Sequence, residues 1–216
     1  MEKGLLISLE GGEGSGKSTQ ARLLADYLEG MGRKVKMVRE PGGTELGERV
    51  RDLLLRADGV KIFALAELFL YLGSRGQLVE EVIRPSLQEG WIVLCDRYLD
   101  ATAAYQGYGR GLDVEMIDQM NRAAVGDAVP DLTFLLDLDA KEGLARISRR
   151  EQDRLESEDL AFHERVRVGY LKIAARNPRR ILVVSARREA SQIAEEMQGY
   201  LHPFLSSASS SSRRNG

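Results

Sequence analysis

The feature that most constrains this chain is the glycine-rich stretch GGEGSGKST, which directly follows the short apolar run Leu5–Leu9. It matches the pattern G-x-x-x-x-G-K-[ST], in which glycines let consecutive N–H groups turn inward around phosphate oxygens. Apolar residues recur at helical spacing after it, so the loop is expected at a helix N-terminus, where the helix dipole favours an anion. The pattern predicts a nucleoside triphosphate site, and in this context a merely structural glycine turn is the weaker interpretation. The site comprises Gly11, Gly12, Glu13, Gly14, Ser15, Gly16, Lys17, Ser18 and Thr19.

Strand and helix patterns alternate along the chain, which predicts an α/β fold with a parallel, doubly wound sheet and a ligand site at the carboxyl ends of its strands. The predicted strands are Leu5–Leu9, Val35–Val38, Trp91–Cys95, Leu132–Leu138 and Ile181–Val184. The predicted helices are Lys17–Met31, Glu45–Arg56, Leu65–Glu89, Val114–Val125, Lys141–Arg150, Asp159–Ala175 and Glu189–Leu205. We expect one domain over residues 1–205, followed by a flexible serine-rich tail over residues 206–216.

Composition narrows the class of protein. The chain has 216 residues, 43% of them hydrophobic, which is enough for a full core in a single α/β domain. Its net charge of −2 gives no global basic field for nucleic acid. One cysteine excludes an internal disulfide, and two histidines leave no plausible zinc cluster. With no signal pattern and no apolar run of ~20 residues, we expect a soluble, cytoplasmic protein without a membrane span.

Two segments at strand ends are candidates for a second ligand. Arg39–Thr44 follows the second strand, and its Pro and Gly-Gly also suit an ordinary connecting loop. Asp96 and Arg97 follow the third strand. A carboxylate in Asp96's place can hold Mg²⁺, and an anionic ligand would neutralise Arg97. The alternative is a salt bridge that closes the sheet.

Two further patterns involve arginine. Tyr71 and Arg75 are four residues apart on one predicted helix and so share a face that could hold a nucleobase, although core packing with a solvated end is the commoner reason for such a pair. The segment from Arg146 to Asp159 is densely charged and joins two helices. Such runs are usually solvated surface, but arginines in a connection near the nucleotide site also suit a closing lid, expected over residues 146–158.

The order of these features resembles thymidylate kinase of the bacterial type. The resemblance covers about Leu5 to Val184 and rests on GGEGSGKST, REPGGT, the helix with Tyr71 and Arg75, DRYLDATAAYQGYGRG, PDLTFLLDLD and DRLE. It implies the P-loop nucleoside monophosphate kinase fold, with a five-stranded parallel sheet flanked by helices on both faces. It further implies ATP and Mg²⁺ at the P-loop, thymidine 5′-monophosphate (dTMP) as phosphate acceptor, and a homodimer.

The resemblance also implies roles for individual residues. Lys17 is placed on the ATP phosphates, Ser18 and Asp96 on Mg²⁺, and Glu13 on the nucleoside sugar. The residues implied around dTMP are Arg39, Arg51 and Arg97 at its phosphate, Tyr71 stacked on thymine, Arg75 and Thr102 at the base, Tyr105 beneath the deoxyribose and Gln106 beside it. The implied catalytic residues are Lys17, Arg97 and the lid arginines Arg149, Arg150 and Arg154.

The sequence departs from the family pattern in informative places. Gly14 stands where some members carry a P-loop arginine, which together with Arg149–Arg154 matches the subgroup whose catalytic arginine comes from the lid. Tyr71 replaces a frequent Phe, and Ser185-Ala186 replaces a common Asp-Ala near the expected adenine site. The rival functions are another P-loop nucleoside monophosphate kinase and a non-enzymatic, ATP-binding switch, and turnover with a monophosphate acceptor separates the latter from an enzyme. The N-K-x-D motif of GTPases is absent from the sequence.

Overall fold

The protein is built on one parallel sheet. The computed structural model describes residues 4–56, 60–149 and 151–210. Five strands lie in the order β2-β3-β1-β4-β5, and every pairing between neighbours is parallel. They are β1 (Leu5–Glu10), β2 (Val35–Arg39), β3 (Ile92–Asp96), β4 (Leu132–Asp137) and β5 (Ile181–Ser185). The predicted strands are confirmed, each to within one residue at either end.

Helices connect these strands. They are α1 (Lys17–Gly30), α2 (Glu45–Leu55), α3 (Ala64–Leu78), α4 (Arg84–Gln88), α5 (Leu99–Thr102), α6 (Val114–Val125), α7 (Ala140–Ile147), α8 (Leu160–Arg176) and α9 (Ala190–Ser210). A π-helical segment, Val79–Ile83, joins α3 to α4, so the predicted helix Leu65–Glu89 is one long helix with a widened turn. Helix α7 ends at Ile147, earlier than predicted. Helix α9 continues to Ser210, so residues 206–210 of the expected tail are helical, and residues 211–216 lie outside the described residues.

Apolar side chains cover both faces of the sheet, as predicted. Successive strand residues point to opposite faces of the sheet. Phe134 of β4 therefore packs with α1 and α9, while its neighbour Leu135 packs with α8 and with residues 103–105. Leu28 of α1 and Val166 of α8 are both buried in these two layers. The observed fold is therefore a parallel sheet with helices packed on both of its faces, as expected for a doubly wound α/β protein.

One helical segment was not predicted. Helix α5 continues into a π-helical segment, Ala103–Gly109, that carries residues of the DRY…AYQG motif. The reason is packing against α8: a Cβ on Gly109 would lie 2.7 Å from Cε2 of Phe162, so only glycine permits this approach. The glycines that suggest a loop in the sequence instead let two helices meet closely.

The carboxyl ends of β1, β2 and β3 lie side by side. Asp96 is in register with Leu9 on one side and Arg39 on the other, so the segments that follow these strands share one edge of the sheet. Parallel sheets of this kind bind ligands at that edge. Within the described part of the chain, no helix has the length and apolarity needed to cross a bilayer.

Candidate active site

The predicted P-loop has the expected shape. Gly14 and Gly16 have φ values of 63° and 87°, a region that favours glycine, and α1 begins directly afterwards at Lys17. The Lys17 ammonium folds back onto the loop and donates to the carbonyl oxygens of Gly12 at 2.8 Å and Gly11 at 3.2 Å. Burial, followed by the nearby Arg97 guanidinium, lowers the pKa of Lys17 to about 8. A phosphate would restore full charge to this ammonium.

Gly14 also sets how the loop packs against α7. A Cβ on Gly14 would lie 2.2 Å from the carbonyl oxygen of Gly143, and a Cβ on Gly143 would lie 2.2 Å from that of Glu13. The two backbones therefore touch in a way that excludes any side chain at either position. The side chain of Arg146, one turn further along α7, donates to the Gly14 carbonyl at 3.3 Å.

The predicted metal residues lie together. The Ser18 hydroxyl donates to Oδ2 of Asp96 at 2.6 Å, which brings the start of α1 to the end of β3. Both side chains line the same cavity as Lys17. A hydroxyl and a carboxylate at this separation are hard oxygen donors of the kind Mg²⁺ uses alongside water and phosphate.

Three residues of the predicted site form a second cluster, with Glu13 at its centre. Its Oε1 accepts from Nη2 of Arg97 at 2.7 Å and from the Tyr105 hydroxyl at 2.5 Å. The Arg97 guanidinium lies over the Tyr105 ring, 4.9 Å from its centroid. Burial alone would raise the pKa of Glu13, but Arg97 and Lys17 outweigh it and hold that pKa at about 2. The carboxylate is thus ionised and fixes both neighbours.

Glu10, the residue before the P-loop, supports this cluster and was not singled out from the sequence. Its Oε1 accepts from the Tyr98 backbone N–H at 2.7 Å, and its Oε2 accepts from the Tyr170 hydroxyl at 2.8 Å. The former bond fixes the backbone beside Arg97, whose φ of 66° is in a region that few non-glycine residues adopt. Burial and the nearby Asp100 raise the pKa of Glu10 to about 8.

Arg75 lies at the back of the cavity. Its Nε and Nη2 donate to Oε2 of Glu40 at 2.8 and 2.6 Å, its Nη1 to Oδ1 of Asn121 at 2.6 Å, and its Nη2 also to the Tyr98 carbonyl at 3.1 Å. The side chain is 1% exposed, so this pairing fixes its position completely. Tyr71, one turn earlier on α3, is buried and lines the same cavity, as the resemblance implied.

Two buried polar atoms of residues on the cavity wall have no hydrogen-bond partner among the residues that the structure describes. They are Oγ1 of Thr102 and Oε1 of Glu40. Both residues line the cavity. Because an unpartnered buried oxygen costs free energy in the isolated protein, these atoms indicate where a ligand's polar groups would be received.

The basic residues predicted at the acceptor phosphate border the cavity at a more exposed position. Arg39 pairs with Glu48 at 2.9 Å, and Nη1 of Arg51 donates to the Pro41 carbonyl at 2.9 Å. Burial and the nearby Arg39 lower the pKa of Arg51. Arginines gathered at one place repel one another until an anion binds between them.

The lid residues are only partly where the sequence suggested. Arg149 is exposed and Arg150 lies outside the described residues. Arg154 bonds to Glu67 at 2.5 Å and to the Leu54 carbonyl at 2.7 Å, and neither it nor Arg149 lines the cavity. The lid residues that do line it are Ile147, Asp153, Leu155 and Glu156.

One cavity of about 370 Å³ joins these parts. The predicted site residues on its wall are Glu13, Gly14, Gly16, Lys17, Ser18, Thr19, Arg39, Arg51, Tyr71, Arg75, Asp96, Arg97, Thr102, Tyr105 and Gln106. Sequence reasoning missed Glu40, Pro41, Leu55 and Ala101, although the first two belong to the REPGGT motif that it had singled out. The cavity joins a phosphate-binding loop to a buried, partly unpaired polar wall. Such a site can bring two phosphorylated molecules together.

Comparison with known proteins gives a consistent picture. The family model described as thymidylate kinase matches residues 9–197. A thymidylate kinase of Syntrophotalea carbinolica is 52% identical over 187 residues, covering 83% of this chain and 87% of that protein. A thymidylate kinase of Deinococcus radiodurans is 50% identical over 198 residues, covering 91% of this chain and 96% of that protein. A crystal structure of thymidylate kinase from Ehrlichia chaffeensis superposes with a TM-score of 0.77 at 38% identity, covering 93% of this chain and all of that one.

Proposed function

Because this chain belongs to the thymidylate kinase family and phosphorylates dTMP with ATP, we propose that the two nucleotides occupy opposite ends of the cavity described above. The P-loop end receives the ATP phosphates, and the end formed by α3 and the segment 99–109 receives dTMP. The observation that carries this assignment is that one cavity is lined by both Lys17 and Thr102, whose Oγ1 has no partner among the described residues.

The wall around Arg75 suits thymine. Arginine has five N–H groups, and the contacts to described residues use four of them, which leaves one hydrogen on Nη1. Arginine can only donate, so this hydrogen selects a ring carbonyl such as that at C4 of thymine and disfavours the amino group of cytosine. The free Thr102 hydroxyl can pair with the polar edge of the base, and Tyr71 offers its ring face.

The same placement of dTMP assigns residues to its sugar and its phosphate. Tyr105, held by Glu13, is placed beneath the deoxyribose, where we expect it to resist a 2′-hydroxyl. Arg39, Arg51 and Arg97 surround the acceptor phosphate, and Gln106 completes the wall. Binding of the anion relieves the repulsion among these guanidinium groups, so the acceptor phosphate contributes strongly to affinity.

The reaction then needs alignment more than covalent help. An oxygen of the dTMP phosphate attacks the γ-phosphorus of ATP as the bond from that phosphorus to the β–γ bridging oxygen breaks, giving dTDP and ADP. The attacking oxygen is already ionised, so no strong general base is required. Lys17 and Arg97 stabilise charge on the transferring phosphoryl group, and we infer that an arginine of the lid adds to this while the lid excludes water.

Mg²⁺ fits the residues present. Ser18 and Asp96 would hold it, since their oxygens lie together at the P-loop end and leave most coordination positions for phosphate and water. Held there, the ion would supply positive charge that offsets the negative charge of the phosphates. Apart from that, Ser18 and Asp96 orient one another through their mutual hydrogen bond.

We also infer a cytoplasmic homodimer, because ATP and dTMP are intracellular nucleotides and apolar side chains are exposed on two adjacent helices. Phe63 at the start of α3 is 67% exposed and Phe69 is 53% exposed. Leu46 and Leu53 of the neighbouring α2 are exposed as well. A patch of this kind on a monomer is unfavourable unless it is covered. Sedimentation velocity would contradict the dimer if it gave a single-chain species at micromolar concentration.

The test of function is a panel of phosphate acceptors with ATP and Mg²⁺. We expect the order dTMP, then dUMP, then UMP, dCMP and dGMP close to inactive. The thymine methyl group contributes only about 1–3 kcal/mol, so dUMP should fall within roughly 10- to 200-fold of dTMP. A mismatched base edge leaves the remaining Nη1 hydrogen of Arg75 or the Thr102 hydroxyl unpaired, and we expect a purine to be too large for the space beside Tyr71 and Arg75. If dCMP or dGMP were the best acceptor, the base pocket would be wrongly assigned although the P-loop would stand.

A further inference from the structure

A buried carboxylate at the start of α3, Glu67, joins the acceptor pocket to the lid. Its side chain is 0% exposed, and a buried charge of this kind requires pairing. Gln106, which lines the cavity, donates to its Oε1 at 2.8 Å. Arg154 of the lid donates to its Oε2 at 2.5 Å, and Arg110 donates to both oxygens at 3.3 and 3.2 Å. One carboxylate therefore holds a pocket residue and a lid residue at the same time.

The lid segment is fixed at a second point as well. Arg110 also pairs with Glu158, at 2.6 Å. Two further bonds hold Arg154. Its Nε donates to the Leu54 carbonyl, and its backbone N–H donates to the Leu55 carbonyl at 3.2 Å. The segment 153–158 is thus attached to the ends of α2 and α3, which form the wall of the acceptor pocket.

These bonds determine the charge state of Glu67. Burial alone would raise its pKa, but the hydrogen bonds from Gln106 and the two arginines hold that pKa below its ordinary value. The carboxylate is consequently ionised, and its contact with Arg154 is a charge-assisted hydrogen bond, the stronger class of such bonds.

We propose that Glu67 is a positioning residue that anchors the lid to the acceptor pocket through Arg154, and that Arg154 serves as this anchor and does not contact the transferring phosphate. The inference deepens the proposed function, because an anchored lid keeps Asp153, Leu155 and Glu156 on the cavity wall and water out of it. Gln106 shares the carboxylate, so the geometry of the pocket and the position of the lid depend on one another.

Hydrogen exchange tests the anchor without relying on activity. In the full-length protein, Glu67→Gln and Arg154→Gln should each speed exchange of the 151–159 backbone amides by about tenfold, the factor expected when a hydrogen bond between charged groups is lost. The matched control is Glu81→Gln, which removes one carboxylate from the same long helix at an exposed position bonded to Gln77. It should leave exchange unchanged. The double variant Glu67→Gln/Arg154→Gln should exchange within about twofold of the single variants, because both remove the same bond.

Kinetics gives the second readout. Both single variants should hydrolyse more ATP per dTDP formed than the wild type and the Glu81→Gln control, since a loosened lid admits water. The proposed anchoring role would be overturned if hydrogen exchange of residues 151–159 were unchanged in both single variants. It would also be overturned if the effects of the two substitutions on the exchange rate added up in the double variant. Should Glu67→Gln fail to fold, Arg154→Gln carries the test, because its side chain is 21% exposed and tolerates a polar replacement. A wild-type protein that lacks dTMP kinase activity would refute the proposed function while the exchange result still stood.

Discussion

Removing the Thr102 hydroxyl should stabilise the free protein and impair the enzyme. Its Oγ1 is buried and has no partner among the described residues, and an unmade buried hydrogen bond costs about 1–3 kcal/mol. Thr102→Val keeps the shape and removes that cost. Taking the lower end, about 1 kcal/mol, the melting temperature should rise by about 2–4 °C for a chain of this length. The same change removes a hydrogen bond to the base, so kcat/KM for dTMP should fall roughly 2- to 12-fold.

The control for this experiment is Thr133→Val. The Thr133 hydroxyl is also buried but is bonded to Ser8 at 2.7 Å and to Nη1 of Arg180 at 2.8 Å. Its removal leaves partners unsatisfied, so the melting temperature should drop while the KM for dTMP stays close to that of the wild type. Differential scanning fluorimetry and steady-state kinetics with dTMP as the varied substrate measure both quantities. A lower melting temperature with unchanged kcat/KM in Thr102→Val would refute the reasoning.

Two further predictions concern Glu10 and the lid. A carboxyl whose pKa is raised on folding stabilises the fold at pH values below its unfolded pKa and loses that contribution as pH rises toward its folded pKa of about 8. Urea unfolding should therefore show that the free energy of unfolding of the wild type falls relative to that of Glu10→Gln between pH 5 and 8, by up to about 1.4 kcal/mol per pH unit. Parallel pH profiles of the two proteins would contradict this. Arg149→Ala should lower kcat by ~10³-fold if Arg149 reaches the phosphates when the lid closes, with little change in dTMP binding. Wild-type kcat in that variant would exclude Arg149 as the catalytic lid arginine.

The sheet was predictable because its signal is local. Most strands are continuous apolar runs, as expected for strands covered on both faces, and the P-loop marks the first strand-to-helix connection without ambiguity. The positions of Tyr71, Thr102 and Tyr105 on one wall came from resemblance, since no periodicity would bring α3 and the segment 99–109 together. The helix at 99–109 was missed because its glycines, which allow close packing on α8, also suggest a loop.

Buried acids were the residues least accessible to sequence reasoning. A glutamate in a sequence is normally expected at the surface, yet Glu10, Glu40 and Glu67 are all buried. Their partners are distant in the chain, as with Glu40 and Arg75 or Glu67 and Arg154, so no spacing rule relates them. The same holds for the lid, whose charged residues suggested solvated surface or a catalytic role, whereas Arg154 bonds to Glu67 and to the Leu54 carbonyl.

The contact between Gly14 and Gly143 limits how this enzyme could change over evolution or by design. Some members of the family carry an arginine at the Gly14 position, but here any side chain there would collide with the Gly143 carbonyl. A single substitution that moved the arginine from lid to P-loop would first have to displace α7, and with it Arg146 and the base of the lid. Intermediate sequences would then hold neither arrangement, so a barrier of backbone packing separates a P-loop arginine from the lid arginine proposed here. An engineer who wished to cross it would have to redesign α7 together with the loop.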